Sequence, residues 1–383
     1  MRHLTLYRDD RYYASFPAVA TLADGTVALL FRRARDQRWF ARALGLADQA
    51  GLMSVDHVDS RSQHVLLRLD GHTLQPLGAP EVLPPDGEAA DQDANLAILP
   101  DGRLLLTSFS WYPLAPRLAG AIRAAGGPLV GAADDSGLFL FWGGYARVGD
   151  AAGRVWTPHT FLPPLPGQPD LLAGVRPHHG GALRGRAALL PDGGLVQAVY
   201  AGGAHGKRGS HLFRADPDAT APDGLRWRPL GPIAHDAAGL GCLVEPALLR
   251  TRGGRLMAFH RTAAMGDQMA LSVSTDEGQT WAPWRLTTVV GHPFDPLPLP
   301  DGRVFLAYGY RHAPYGIRAR VYHPDNQQPE DGAEIVLRDD GPGPDLGYPW
   351  ATLLTDGRVL VVYYFAGVDG IRRIDATVLE MPA

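Results

Sequence analysis

The chain has 383 residues, 45% hydrophobic and 20% charged, and its 36 basic and 40 acidic side chains leave a formal net charge of −4. That balance excludes a field able to hold a polyanion, so no nucleic-acid partner is expected, and no segment nears the 18 uninterrupted apolar residues of a membrane span. The single cysteine, Cys242, excludes an internal disulfide and reads as a buried thiol.

The start of the chain, "MRHLTLYRDDRYY", lacks the apolar core and cleavage site of a secretory signal, so a cytoplasmic location is expected. Six segments then share one form, an apolar approach, an Asp-Gly turn or its equivalent, and a second apolar run. They are "TLADGTVALLF" around Asp24, "ILPDGRLLLTSF" around Asp101, "LLPDGGLVQAVY" around Asp192, "LRTRGGRLMAFH" around Gly253, "PLPDGRVFLAYGY" around Asp301 and "LLTDGRVLVVYYF" around Asp356. Each predicts a β-hairpin whose two central residues take angles open to Asp and Gly. Apolar residues on both faces place these strands inside a packed array.

Six such hairpins across the chain, with 46 glycines and 33 prolines for turns, predict an all-β, six-bladed propeller of four-stranded antiparallel blades. The predicted single domain spans residues 1–383, with "HLTLY" at 3–7 pairing with "RIDATVLEM" at 373–381 to close the ring. Residues 113–136 and 163–182 read as long loops, and "LAPRLAGAIRAAGG" within the first as a short helix ended by glycine.

The octapeptide "STDEGQTW", Ser274 to Trp281, holds residue types that bond back to turn backbone, a glycine for a left-handed position, and a tryptophan to pack beneath. Weaker versions occur at 68–76, 149–158, 221–230 and 322–330. With these motifs the chain resembles the sialidase (neuraminidase) superfamily, whose Asp-box, or BNR repeat, has this pattern. The resemblance implies a rim position for the box, away from the chemistry.

Catalytic groups of a propeller gather on its axis, where the inner strands enter. Counting eight residues back from each turn gives Phe16, Asp93, Arg184, Glu245, Pro293 and Tyr348, four of them chemically capable. The resemblance implies a Tyr nucleophile assisted by Glu, an Asp acid/base, and three arginines around a substrate carboxylate. Carried over by position, Tyr348 matches the nucleophile, Glu245 its base, and Arg261 and Arg318 two of the arginines.

Where the first-strand arginine belongs, in "YASFPAVATLADG", stands Ser15, which implies either a different glycone, a uronic acid, another ulosonic acid or a neutral sugar, or a decayed site. Arg32, Arg33, Arg35 and Arg184 are candidate replacements. The acid/base is expected at Asp59, with Asp56 and Asp93 as alternatives, and His57 beside it. His57, His178, His179, His260, His292 and His312 offer a second chemistry, His/Tyr elimination from uronates. No His-x-His or His-x3-His spacing exists, and neither metal nor cofactor is expected.

Three classes compete: an exo-acting glycoside hydrolase of sialidase type on a terminal acidic sugar, a polysaccharide lyase on the same propeller, and a non-catalytic glycan-binding propeller. The partner implied by the first two is a small-molecule or oligosaccharide substrate.

Overall fold

The computed structural model describes residues 1–45, 59, 61–127, 129–131, 138–168, 179–202, 208–239, 241–367 and 369–381. They form six antiparallel sheets, five of four strands and one enlarged to six, arranged as a β-propeller. Blades I to VI begin with inner strands at Tyr12–Thr21, Ala90–Asp91 with Asn95–Ile98, Ala188–Leu189, Cys242–Arg250, Phe294–Pro298 and Gly347–Leu353. The ring closes as expected: strand Arg2–Tyr7 pairs with Arg372–Leu379 and supplies the outer strand of blade VI. Among the described residues no helix is long and apolar enough to cross a membrane.

Though Ile98 and Leu189 of the inner strands are exposed, most of the inner and second strands are buried on both faces, as in Val359–Ala366, where every residue is buried. Their leucines, valines and tyrosines fill the wedges between blades, and each large aliphatic side chain so buried contributes about 1.5–3 kcal/mol. The six hairpins differ in one detail from expectation. Only the glycine of each turn is left-handed (Gly25, Gly102, Gly193, Gly254, Gly302 and Gly357, φ +81 to +92°), and its N–H bonds back three residues, as Gly25 N does to Leu22 O at 2.9 Å. This is a four-residue turn followed by a glycine bulge. The aspartate's part is to accept the N–H two residues on, as Asp301 Oδ1 accepts Arg303 N at 2.9 Å.

The octapeptide turn joins the third and fourth strands of blade IV, Gln268–Ser274 and Arg285–Val290. Asp276 accepts Ser274 Oγ at 2.8 Å, Thr280 N at 2.9 Å and Thr280 Oγ1 at 2.6 Å, while Ser274 Oγ accepts Gly278 N at 2.9 Å. Trp281 packs against the cluster between blades III and IV. The predicted short helix is present as Pro116–Leu118 and Ala119–Ala124, ended at Gly126. Cys242 is only half-buried, at the open end of its strand, where its sulfur accepts Arg208 N at 3.4 Å.

Candidate active site

The site grows from interruptions in the inner strands. Strand pairing slips between Ser15 and Ala18, between Val244 and Ala247, and between Gly347 and Trp350. At the slips stand Phe16 (φ +52°), Glu245 (φ +47°) and Tyr348 (φ +51°), left-handed residues that are not glycine. Each precedes a proline, Pro17, Pro246 or Pro349, which has no N–H to lend to the ladder. In blade II the inner strand breaks outright between Asp91 and Asn95, around Asp93. Such bulges re-aim a side chain, here towards the axis, and each left-handed residue costs about 1–3 kcal/mol that the surrounding packing must offset.

Tyr348 Oη donates to Glu245 Oε1 at 2.6 Å, and Arg261 Nη1 lies 2.9 Å from that same oxygen and 3.3 Å from the phenol oxygen. Glu245 Oε2 is buried with no hydrogen-bond partner among the described residues. Burial, then the Glu245 carboxylate, drives the Tyr348 phenol well above its ordinary range, with Arg261 opposing, so it rests protonated. Phe16 packs on the Tyr348 ring at 4.6 Å, and the guanidiniums of Arg184 and Arg311 lie 5.1 and 5.3 Å from its centre.

Asp93 is buried beside this group. Burial raises its carboxyl to about 7, Arg184 opposing and Glu245 adding to the rise, with Arg32 and Arg261 in the same field. Asp59, the preferred acid/base from sequence, is engaged elsewhere. It takes Arg35 through N at 2.7 Å, Nε at 3.0 Å and Nη2 at 2.6 Å, and although burial pushes its carboxyl up, those bonds hold it below the usual range. An aspartate so paired is a poor proton donor near neutrality. Asp56, His57 and His178 lie outside the described residues.

The arginines sort differently from their sequence positions. Arg318 lies on Tyr315–Tyr322, the third strand of blade V and one strand further from the axis; it donates to Pro314 O and Arg338 O and stacks over Tyr310 at 4.8 Å. Arg311, at the end of the second strand, takes the place over Tyr348. Arg33 turns to the opposite side of its strand and lies 4.0 Å from the Tyr12 ring centre. Arg32, paired across the strands with Ser15, is the arginine of that segment that comes near the axis, 5.8 Å from the Phe16 ring and donating to Asp91 O at 3.3 Å.

Arg184 is fully buried and donates to Pro17 O, Ala94 O and Tyr348 O, so it ties blades I, II and VI together and offers no open face to a ligand. His292 is buried 3.7 Å from Asp267, and burial, then Arg261 and Arg311, lower its imidazole to about 2, leaving it neutral. His260 bonds Ser272 inside blade IV at 3.2 Å, and no described histidine bonds Tyr348.

Counting eight residues forward from each turn, as well as back, gives Arg32, Phe109, Tyr200, Arg261, Gly309 and Tyr364. This second ring faces the first, because Val244 pairs with Arg261, Ser15 with Arg32 and Gly347 with Tyr364. It was a legible signal for Arg32 and Tyr364, whereas Arg311, two residues beyond that position, was not.

A six-bladed propeller with rim Asp-boxes and a Tyr, Glu and Arg group on its axis defines the sialidase-like class of fold. The family profile of the BNR repeat-like domain matches residues 118–361, more than half of the sequence, and the chain belongs to that family. It is similar to a protein of unknown function from Dyadobacter fermentans, 32% identical, with 100% of this chain and 98% of that one covered and a TM-score of 0.86. It is also similar to the NanB sialidase from Streptococcus pneumoniae, 14% identical, covering 96% of this chain and 68% of that one, with a TM-score of 0.62. The Trypanosoma rangeli sialidase, solved with 2,3-difluorosialic acid as a covalent intermediate, is 13% identical with a TM-score of 0.61; 98% of this chain covers 58% of that one. No curated protein sequence matches the chain.

Proposed function

We propose that the protein is a retaining exo-glycoside hydrolase acting on a terminal acidic sugar. The observation that carries this reading is the Tyr348 to Glu245 hydrogen bond of 2.6 Å, with Arg261 on both oxygens. A neutral phenol is a weak nucleophile, and a carboxylate at this distance takes its proton as the oxygen attacks. Arg261 then stabilises the charge on both groups. Phenol oxygen also approaches an anionic sugar without the repulsion a carboxylate would meet. Arg261 and Arg311 are the cations placed to hold the anion, and the Tyr348 pairing with a carboxylate, not a histidine, favours hydrolysis over elimination.

In the first step Tyr348 Oη bonds to the anomeric carbon and Glu245 takes the phenol proton. The glycosidic C–O bond breaks as Asp93, protonated below about pH 7, gives its proton to the leaving oxygen. In the second step Asp93 takes a proton from water, whose oxygen bonds to the anomeric carbon, and Tyr348 leaves and recovers its proton from Glu245.

The test is a panel of aryl glycosides of ulosonic acids, uronic acids and neutral sugars. Turnover of an acidic glycoside is expected, lost by at least about a thousandfold in Tyr348→Phe. Turnover that survives this substitution would sink the mechanism.

A further inference from the structure

The group that holds the anion is itself held. Arg311 Nε donates to Leu346 O at 2.9 Å and its Nη2 to Tyr364 Oη at 2.9 Å, so two of its three nitrogens are fixed by residues of blade VI or the segment leading into it. Tyr364 Oη in turn donates to Asp345 Oδ1 at 3.0 Å. The direction of this chain is settled by chemistry: a guanidinium only donates, an ionised carboxylate only accepts, and the hydroxyl between them does both. A hydroxyl that donates to a carboxylate is the stronger acceptor for the next donor.

Asp345 is fixed from several sides. It accepts Tyr13 Oη of blade I at 2.9 Å and Arg372 Nε of blade VI at 2.9 Å. The Tyr364 ring lies 6.1 Å from that of Tyr13 and 5.9 Å from that of Tyr348. The hydroxyl that meets Arg311 therefore has its ring packed and its proton direction set.

We propose that Tyr364, oriented by Asp345, is the positioning residue that aims Arg311 at the anionic group of the substrate. This rests on the hydrolase reading above. Without the Tyr364 hydroxyl, Arg311 keeps the Leu346 carbonyl as its one hydrogen-bond anchor among the described residues, about which its flexible side chain can turn over the Tyr348 ring. Affinity for the anion falls while the Tyr348 and Glu245 chemistry stays in place.

The experiment is a double-mutant cycle in the full chain on the best acidic glycoside, with Tyr364→Phe, Arg311→Ala and the pair. Tyr364→Phe is expected to raise KM about tenfold, the worth of a hydrogen bond to a charged group, with kcat within about threefold. In the Arg311→Ala background it is expected to add nothing. An equal loss in both backgrounds, or a fall in kcat alone, overturns the proposal and makes Tyr364 a packing residue.

Crystal structures of the wild type and Tyr364→Phe decide the matter even if no glycoside is turned over. Displacement of the Arg311 guanidinium in the variant supports the positioning role. A guanidinium still on Leu346 O and over Tyr348 overturns it. Absence of turnover by the wild type, by contrast, counts against the hydrolase reading alone.

Discussion

Asp93 owes its chemistry to its surroundings. Its carboxyl is raised to about 7, first by burial, so in the folded protein it prefers its proton far more than in the unfolded chain. The resulting stability is full below about pH 4 and is lost as pH rises through 7. Asp93→Asn, which keeps the shape without the titration, is expected to be more stable than the wild type at pH 8 to 9, by on the order of 3 kcal/mol, and to lose that advantage at pH 4. Equal shifts at both values would mean Asp93 is not buried as described. Activity is expected to fall as pH rises through about 7, where the acid is no longer protonated, and calorimetry and pH-rate profiles check the two separately. For Glu245→Gln the expectation is a hundredfold or greater loss of kcat, since the phenol loses its base while Arg261 keeps an acceptor.

At the level of the element, the rim turn and the inner-strand bulge are two uses of left-handed backbone. Gly278, at φ +88°, stands so close to blade III that a Cβ there would lie 2.3 Å from Leu212 Cδ2. The Asp-box is thus a clasp between neighbouring blades. Asp276→Ala removes the acceptor of the bonds from Ser274 and Thr280 and is expected to lower the melting midpoint with kcat/KM unchanged. A fall in kcat/KM at unchanged stability would place the box in the site after all. Phe16, Glu245 and Tyr348 use the same conformation at greater cost, and the X-Pro dipeptide that marks all three was present in the sequence, but its meaning depends on the strand pairing around it. The turns could be read because an Asp-Gly pair acts on its own neighbours. Arg311 could not, because Arg318 matched by spacing and only its place on an outer strand removes it from the axis.

Over the whole molecule, the ring is closed by the pairing of Arg2–Tyr7 with Arg372–Leu379, with Leu6 and Tyr7 buried in it. Removing residues 1–7 leaves blade VI with three strands and bares the edge of Arg372–Leu379, an invitation to pair with another chain. The truncated protein is expected to be less stable by at least about 3 kcal/mol from those two side chains alone, and to aggregate on heating. Light scattering with denaturant titration checks this, and unchanged stability would show that closure lies elsewhere.

The sequence by itself determined the number of blades, the closing strands, the rim turns and the two residues Glu245 and Tyr348, because hairpin chemistry and strand patterning act over a few residues and repeat. Only the tertiary structure decided which charges share the axis: Asp93 and not Asp59, Arg311 and not Arg318, Arg32 and not Arg33. Those choices turn on which strand a residue occupies, which side of it the side chain takes, and how the interrupted inner strands of blades I, II, IV and VI converge when the ring closes. Each is a long-range consequence that no local run of residues contains.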